Sequence, residues 1–227
     1  MTAERICRLL RLPGLTDYGE ALLLQRQLAQ ARSNGQLTDD LLILLEHPRV
    51  ITLGRGARTA NVRAPTELLT SLGLQLHEVE RGGDVTYHGP GQLVGYPIVD
   101  LGRHKKDLHW YLRQLEDVLV EALKTFRIAS GRVPGYTGVW VEDRKIASIG
   151  VHVSRWVTSH GFALNVSTDL ADFDLIIPCG IEAVNMTSVQ RETGRTYSIV
   201  EAGDAVARSF AEVFNLGVEQ AELASIR

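Results

Sequence analysis

Only two cysteines occur in the 227 residues, Cys7 and Cys179, and no Cys-x-x-Cys pair. One disulfide is the most they permit, and such sparse use suits a reducing compartment. The seven histidines are scattered, with no pair spaced to set two ligands on one helix face, which argues against a metal. No apolar run approaches the ~18 residues needed to cross a bilayer. The segment Met1 to Gly14 has arginines but neither an apolar stretch nor a small-residue cleavage site of a secretory leader. These absences point to the cytoplasm. An excess of one charge is also missing: a net charge of −3 gives no reason to expect nucleic acid or an anionic membrane as partner. Without repeats, low-complexity tracts or linkers, a single domain over residues 1–227 is expected.

What is present suits a buried core, with 44% hydrophobic and 22% charged residues. Asp17 and Glu20 fit a D-x-x-E cap for a helix running to about Ser33, ended by Asn34–Gly35. Leu41 to Leu45 and Val50 to Leu53 have strand length. From Leu108, the residues Tyr111, Leu112, Leu115, Val118, Leu119, Ala122 and Phe126 form one stripe at helical spacing. Val139–Val141 and Ile146–Val153 flank Glu142-Asp-Arg144 as a hairpin, and Phe162, Leu164 and Val166 alternate as a further strand. Ser198-Ile-Val-Glu201 is a capping box opening a last helix with Val206, Phe210, Val213 and Phe214 inward. Helices at both ends of a strand-rich middle predict an α/β or α+β fold with a mixed sheet.

Three segments concentrate chemistry. Arg81-Gly-Gly-Asp-Val-Thr-Tyr-His-Gly-Pro-Gly-Gln92 holds four glycines and a proline in twelve residues and reads as a loop. Its backbone approaches ligands closely, unless it is only a structural turn; it lacks a Walker lysine and the G-x-G-x-x-G order. Lys145 opens a strand whose alternation places it on one face with Ala147, Ile149 and Val151. A lysine there is most often a strand-end residue reaching for solvent; the alternative is an amine at the mouth of an apolar pocket. In Ile177-Pro-Cys-Gly-Ile181, proline fixes the backbone and glycine removes bulk beside the sulfur, exposing a thiol and freeing an amide for an oxyanion. A buried inert cysteine is the commoner case, and Cys7, in the apolar-rich stretch Ile6 to Leu12, fits it better. Arg103-His-Lys-Lys106 is a basic cluster, ordinarily solvated surface, alternatively a landing point for an acidic protein.

Together these segments resemble the lipoate-biosynthesis octanoyltransferases. The resemblance is carried by Arg81–Gln92, Lys145-Ile-Ala-Ser-Ile-Gly-Val-His152, His160-Gly-Phe-Ala-Leu-Asn165, Pro178-Cys-Gly-Ile181, Met186-Thr-Ser188, His47-Pro48 and Thr52-Leu-Gly54, in order over residues 10 to 215. It implies a lipoate/biotin protein ligase-like fold with a mixed sheet flanked by helices. It also implies transfer of octanoyl from an octanoyl-acyl carrier protein to a lysine of lipoyl domains, those of 2-oxoacid dehydrogenases and the glycine cleavage H protein. No ATP or other cofactor is implied. Cys179 would carry the acyl thioester, with Lys145 favouring its thiolate and moving protons. Arg81, Gly82, Gly83, Asp84, Val85, Thr86, Tyr87 and His88 would line the substrate site, with Ser148, Ile149 and Gly150, and Gly161, Phe162 and Ala163. His88 is left open between binding and orienting the reactive pair.

Overall fold

In the computed structural model, which describes residues 5–182 and 184–226, the chain opens with β1 (Ile6–Leu15) and α1 (Tyr18–Ser33). Residues 1–4 of the N-terminal segment lie outside the described residues. The Asp17 carboxylate accepts the Glu20 amide at 3.1 Å, and Asn34 caps the far end, followed by Gly35 at φ +76°. β2 (Asp40–Glu46) and β3 (Val50–Leu53) are the two apolar runs. After α2 (Thr66–Ser71) and β4 (Gln75–Glu78) come β5 (Val85–His88) and β6 (Gln92–Ile98). Here the expectation of a continuous loop over Arg81–Gln92 is corrected. Its β-branched and aromatic centre, Val85 to His88, pairs antiparallel with β3, and only the glycine-bearing flanks turn.

α3 (Leu108–Lys124) buries Tyr111, Leu115, Val118, Leu119 and Ala122 of its stripe and half-buries Leu112, while Leu108 in the first turn stays exposed. β7 (Gly131–Val133), β8 (Tyr136–Val141), β9 (Arg144–Ser154) and β10 (Val157–Asn165) run as an antiparallel meander. β11 (Asn185–Met186) and α4 (Val189–Thr193) lead into α5 (Ile199–Phe214) and β12 (Gly217–Ala221). Both reciprocal bonds of the Ser198–Glu201 capping box form.

The large sheet runs β12-β1-β2-β6-β10-β9-β8-β7, with β11 added beside β9, and mixes parallel and antiparallel pairs. α3 and α5 cover one face around Leu115, Leu119, Val206 and Phe210; α1 covers the other around Leu28, Ile43 and Tyr96. A smaller sheet, β4-β3-β5, carries its own core with Phe173 and Ile176. The fold is a mixed sheet flanked by helices, as the sequence predicts.

One irregularity matters for the site. Val139 pairs with Ala147 but Trp140 with Lys145, so Ile146 is an extra residue, a β-bulge. Ile146 and Ala147 both enter the α3–α5 core, and Lys145 turns to the opposite face. The expected common face is thereby corrected for Lys145 alone, since Ala147 and Val151 lie in that core and Ile149 packs against it.

Candidate active site

A narrow cleft separates β9 and β10 of the large sheet from the edge of the small one. Alternation along β5 sends Thr86 and His88 into it and Val85 and Tyr87 into the core on the other side, where Tyr87 meets Phe173 edge-on at 5.3 Å. Arg81, Gly83 and Asp84 line the cleft beside β5. Gly82 instead straps this loop to β9 through its amide, which donates to the Val151 carbonyl at 2.9 Å. Ser148, Ile149 and Gly150 on β9 face Ala163, Phe162 and Gly161 on β10 across paired positions, and all six border the cleft. Of the sequence-predicted lining residues, Gly82, Val85 and Tyr87 therefore lie outside it.

Cys179 stands at the mouth. Its turn, Pro178–Gly180, packs beside β5, and the Ile177 amide just before it donates to the Asn61 carbonyl in the turn Thr59–Asn61 at 2.7 Å. Gly180 is required there: a Cβ would come within 2.5 Å of Asp84 Oδ2, and its φ is +65°. The Gly180 amide is not free for an oxyanion, contrary to the sequence expectation, because it donates to the Ile177 carbonyl at 3.1 Å and closes the turn. Lys145, buried and 34 positions distant in sequence, donates from Nζ to Cys179 Sγ at 3.2 Å. Its ammonium lies 5.3 Å from the centroid of the Trp140 ring. Cys7 lies in the core with no exposure, where burial pushes its thiol far up from the usual value. It is inert in that setting.

The histidines at and behind the inner end of the cleft are uncharged. His47 donates from Nδ1 to the Thr16 carbonyl at 2.7 Å, which leaves Nε2 to accept from the Tyr96 hydroxyl at 2.7 Å. His88 donates from Nδ1 to Gln92 Oε1 at 2.8 Å. Burial, the largest cause in each case, lowers His47 to about 4, His88 to about 3 and His160 to about 4. All three are neutral imidazoles near pH 7. His88 is therefore no acid at that pH, though its Nε2 remains an acceptor. The buried Arg81 guanidinium donates to the Thr52 carbonyl and hydroxyl at 2.7 and 2.8 Å, and burial holds its pKa below the ordinary arginine value. Tyr18, Tyr96 and His160 also line the cleft. Sequence reasoning did not single them out as lining residues, although His160 heads a quoted motif; Tyr96 sits on a strand that Gly95 and Pro97 disguised.

The basic cluster before α3 is less free than its composition suggests. Arg103 donates to the Thr38 carbonyl, His104 pairs with Asp40 at 2.7 Å while buried, and Lys105 pairs with Asp107 at 3.0 Å. No helix among the described residues is long and apolar enough to cross a membrane.

Comparison with known proteins gives consistent matches. The family described as the lipoyl protein ligase A/B catalytic domain matches residues 17–211. The octanoyltransferase of Solibacter usitatus is 51% identical over 206 residues, 91% of this chain and 92% of its own. That of Rubrobacter xylanophilus is 52% identical over 205 residues, 89% and 91% of the two chains. Among solved structures, a lipoate-protein ligase A bound with ATP aligns at a TM-score of 0.73, covering 97% of this chain and 89% of its own. At 19% identity, that likeness is one of fold.

Proposed function

The chain belongs to the lipoyl protein ligase A/B catalytic family, and from that premise we propose that it transfers octanoyl groups in protein lipoylation through a cysteine acyl-enzyme. The donor is octanoyl-acyl carrier protein, and the acceptor is the ε-amine of a lysine in a lipoyl domain. The observation that carries this reading is the 3.2 Å approach of Lys145 Nζ to Cys179 Sγ at the mouth of a cleft.

A free thiol is only a few per cent ionised at neutral pH, and a neighbouring ammonium favours the thiolate. In the first half-reaction the Cys179 thiolate attacks the octanoyl carbonyl, the bond to the carrier's thiol breaks, and Lys145 gives that leaving sulfur its proton. One thioester replaces another, so the acyl group stays activated. In the second half, the acceptor amine attacks the acyl-enzyme, the neutral Lys145 amine takes the proton that this amine sheds, and Cys179 leaves as thiolate. The pair returns to its starting state with no proton gained or lost. The acyl chain runs inward over the floor formed by Ser148–Gly150 and Gly161–Ala163, with Arg81, Thr86 and His88 on the facing wall.

Mass spectrometry of the intact protein after incubation with octanoyl-carrier protein tests this directly. The expected result is one octanoyl adduct, mapped to Cys179 and lost on addition of a lipoyl domain. An adduct on Cys7, or full transfer by Cys179→Ala, would remove the mechanism. The same assay with and without ATP separates it from an ATP-dependent ligase on the same scaffold, which would turn over only with the nucleotide.

A further inference from the structure

Glu116 is the odd residue on the inner face of α3. Its carboxylate is completely buried within a stripe of leucines and valines, and a buried charge is costly unless partners replace its water. Arg113 and Arg132 both donate to Oε2, the latter at 2.7 Å, and the Gly138 amide donates to Oε1 at 3.1 Å. The two arginine side chains are 52% and 37% exposed and would serve a carboxylate placed further out. The Gly138 amide is the partner that requires it inside.

Gly138 is where α3 meets the reactive pair. Its φ is +131°, and a Cβ there would lie 2.6 Å from the Ala147 carbonyl oxygen, 2.7 Å from Lys145 Cε and 3.3 Å from Lys145 Nζ. The Lys145 stem therefore runs directly over the Gly138 backbone, next to the bulge that turns Lys145 out of the core. From there its ammonium passes the Trp140 ring and reaches Cys179. A backbone so close on one side leaves the stem little choice of path, and the bond to Glu116 fixes where that backbone lies.

We infer that Glu116 and Gly138 form a seat for Lys145: Glu116 is a positioning residue that anchors the Gly138 backbone, and the bare Cα of Gly138 is the slot that lets Lys145 reach Cys179. This rests on the reading of Lys145 and Cys179 as the reactive pair.

The test is a double-variant cycle in the full chain, with circular dichroism confirming that each variant is folded. Iodoacetamide alkylation of Cys179 and single-turnover octanoyl transfer are measured for Lys145→Ala, Gly138→Ala and the double variant. Gly138→Ala is expected to lose about 100-fold in transfer, within the range for acid–base help. The double variant should be no slower than Lys145→Ala alone, since no lysine is left to position. Losses that multiply in the double variant, or a parental rate in Gly138→Ala, would overturn the seat. Should Gly138→Ala not fold, Glu116→Met and Glu116→Gln decide the matter. The glutamine keeps an oxygen for the Gly138 amide and should recover most of what the methionine loses, whereas equal losses count against the seat. A parental rate in Lys145→Ala sinks the reactive pair and the seat together. That is distinct from an impaired Lys145→Ala beside a parental Gly138→Ala, in which the seat alone fails.

Discussion

Cys179 holds its thiol out by means of a backbone conformation that L-residues avoid. Its φ is 56° and ψ 19°, in the left-handed region, and it is followed by Gly180, which is also left-handed. A side chain there costs on the order of 1–2 kcal/mol. Two variants that both lack the thiol should therefore differ: Cys179→Gly is expected to exceed Cys179→Ala in unfolding free energy by about 1 kcal/mol, read from urea denaturation. Equal midpoints would mean that the turn relaxes at no cost. Lys145 invites a second separation, between fixed charge and proton carrier. Arginine keeps the charge but does not give up its proton near neutral pH. Lys145→Arg should keep some reactivity of Cys179 toward an alkylating reagent while losing most transfer to a lipoyl-domain lysine. Both assays belong on one folded preparation, because guanidinium differs in shape. Transfer near the parental rate would reduce Lys145 to an electrostatic neighbour.

Among the elements, β9 decides which side chains meet an acyl chain. The bulge at Ile146 sends Ala147 into the core under α3 and α5, whereas Ala163 on β10 faces Ser148 across the pair and lines the cleft. Ala147→Phe should consequently lower stability by about 1–3 kcal/mol through overpacking and leave chain-length preference unchanged. Ala163→Leu should shift preference toward shorter donors, because each methylene denied burial is worth ~0.8 kcal/mol. Competition among six-, eight- and ten-carbon donors reads the difference, and the reverse pattern would restore Ala147 to the pocket. The same elements show what a sequence discloses. Caps at Asp17 and Ser198 were legible because a cap is a local bargain between a side chain and amides two or three residues away. The α3 stripe and the alternation of β10 were legible because one face of each is buried. Nothing marked the bulge, since Lys-Ile-Ala contains neither glycine nor proline, and register is set by the partner strand. β5 hid inside a glycine-rich segment, and β6 behind Gly95 and Pro97.

Over the whole molecule, the cleft gathers segments far apart in the chain, from Tyr18 to Cys179; motif order foretold the participants, but the approach of Lys145 to Cys179 is a property of the assembled sheets. Their assembly also buries His47, His88 and His160 as neutral rings, and this gives stability a pH dependence whose sign follows. Each ring has a folded pKa, about 4, 3 and 4 respectively, below the unfolded value near 6.5. The unfolded chain therefore binds protons first as pH falls. The contribution of these rings is fully present above pH 6.5, declines below it, and is exhausted only once pH has passed the folded values. Each ring removes up to about 1.4 kcal/mol per pH unit within that window. Glu80, which its bond to Arg26 lowers to about 2, loses its contribution only as pH falls below the ordinary carboxylate range, so pH 6.5 to 5 isolates the histidines. Urea midpoints should thus drop from pH 6.5 to pH 5. His160→Gln should flatten the drop by roughly one ring's share, because His160 Nε2 has no hydrogen-bond partner among the described residues and its replacement forfeits no bond at that atom. A midpoint constant over that range would mean that water reaches these rings and that the inner end of the cleft is open rather than closed.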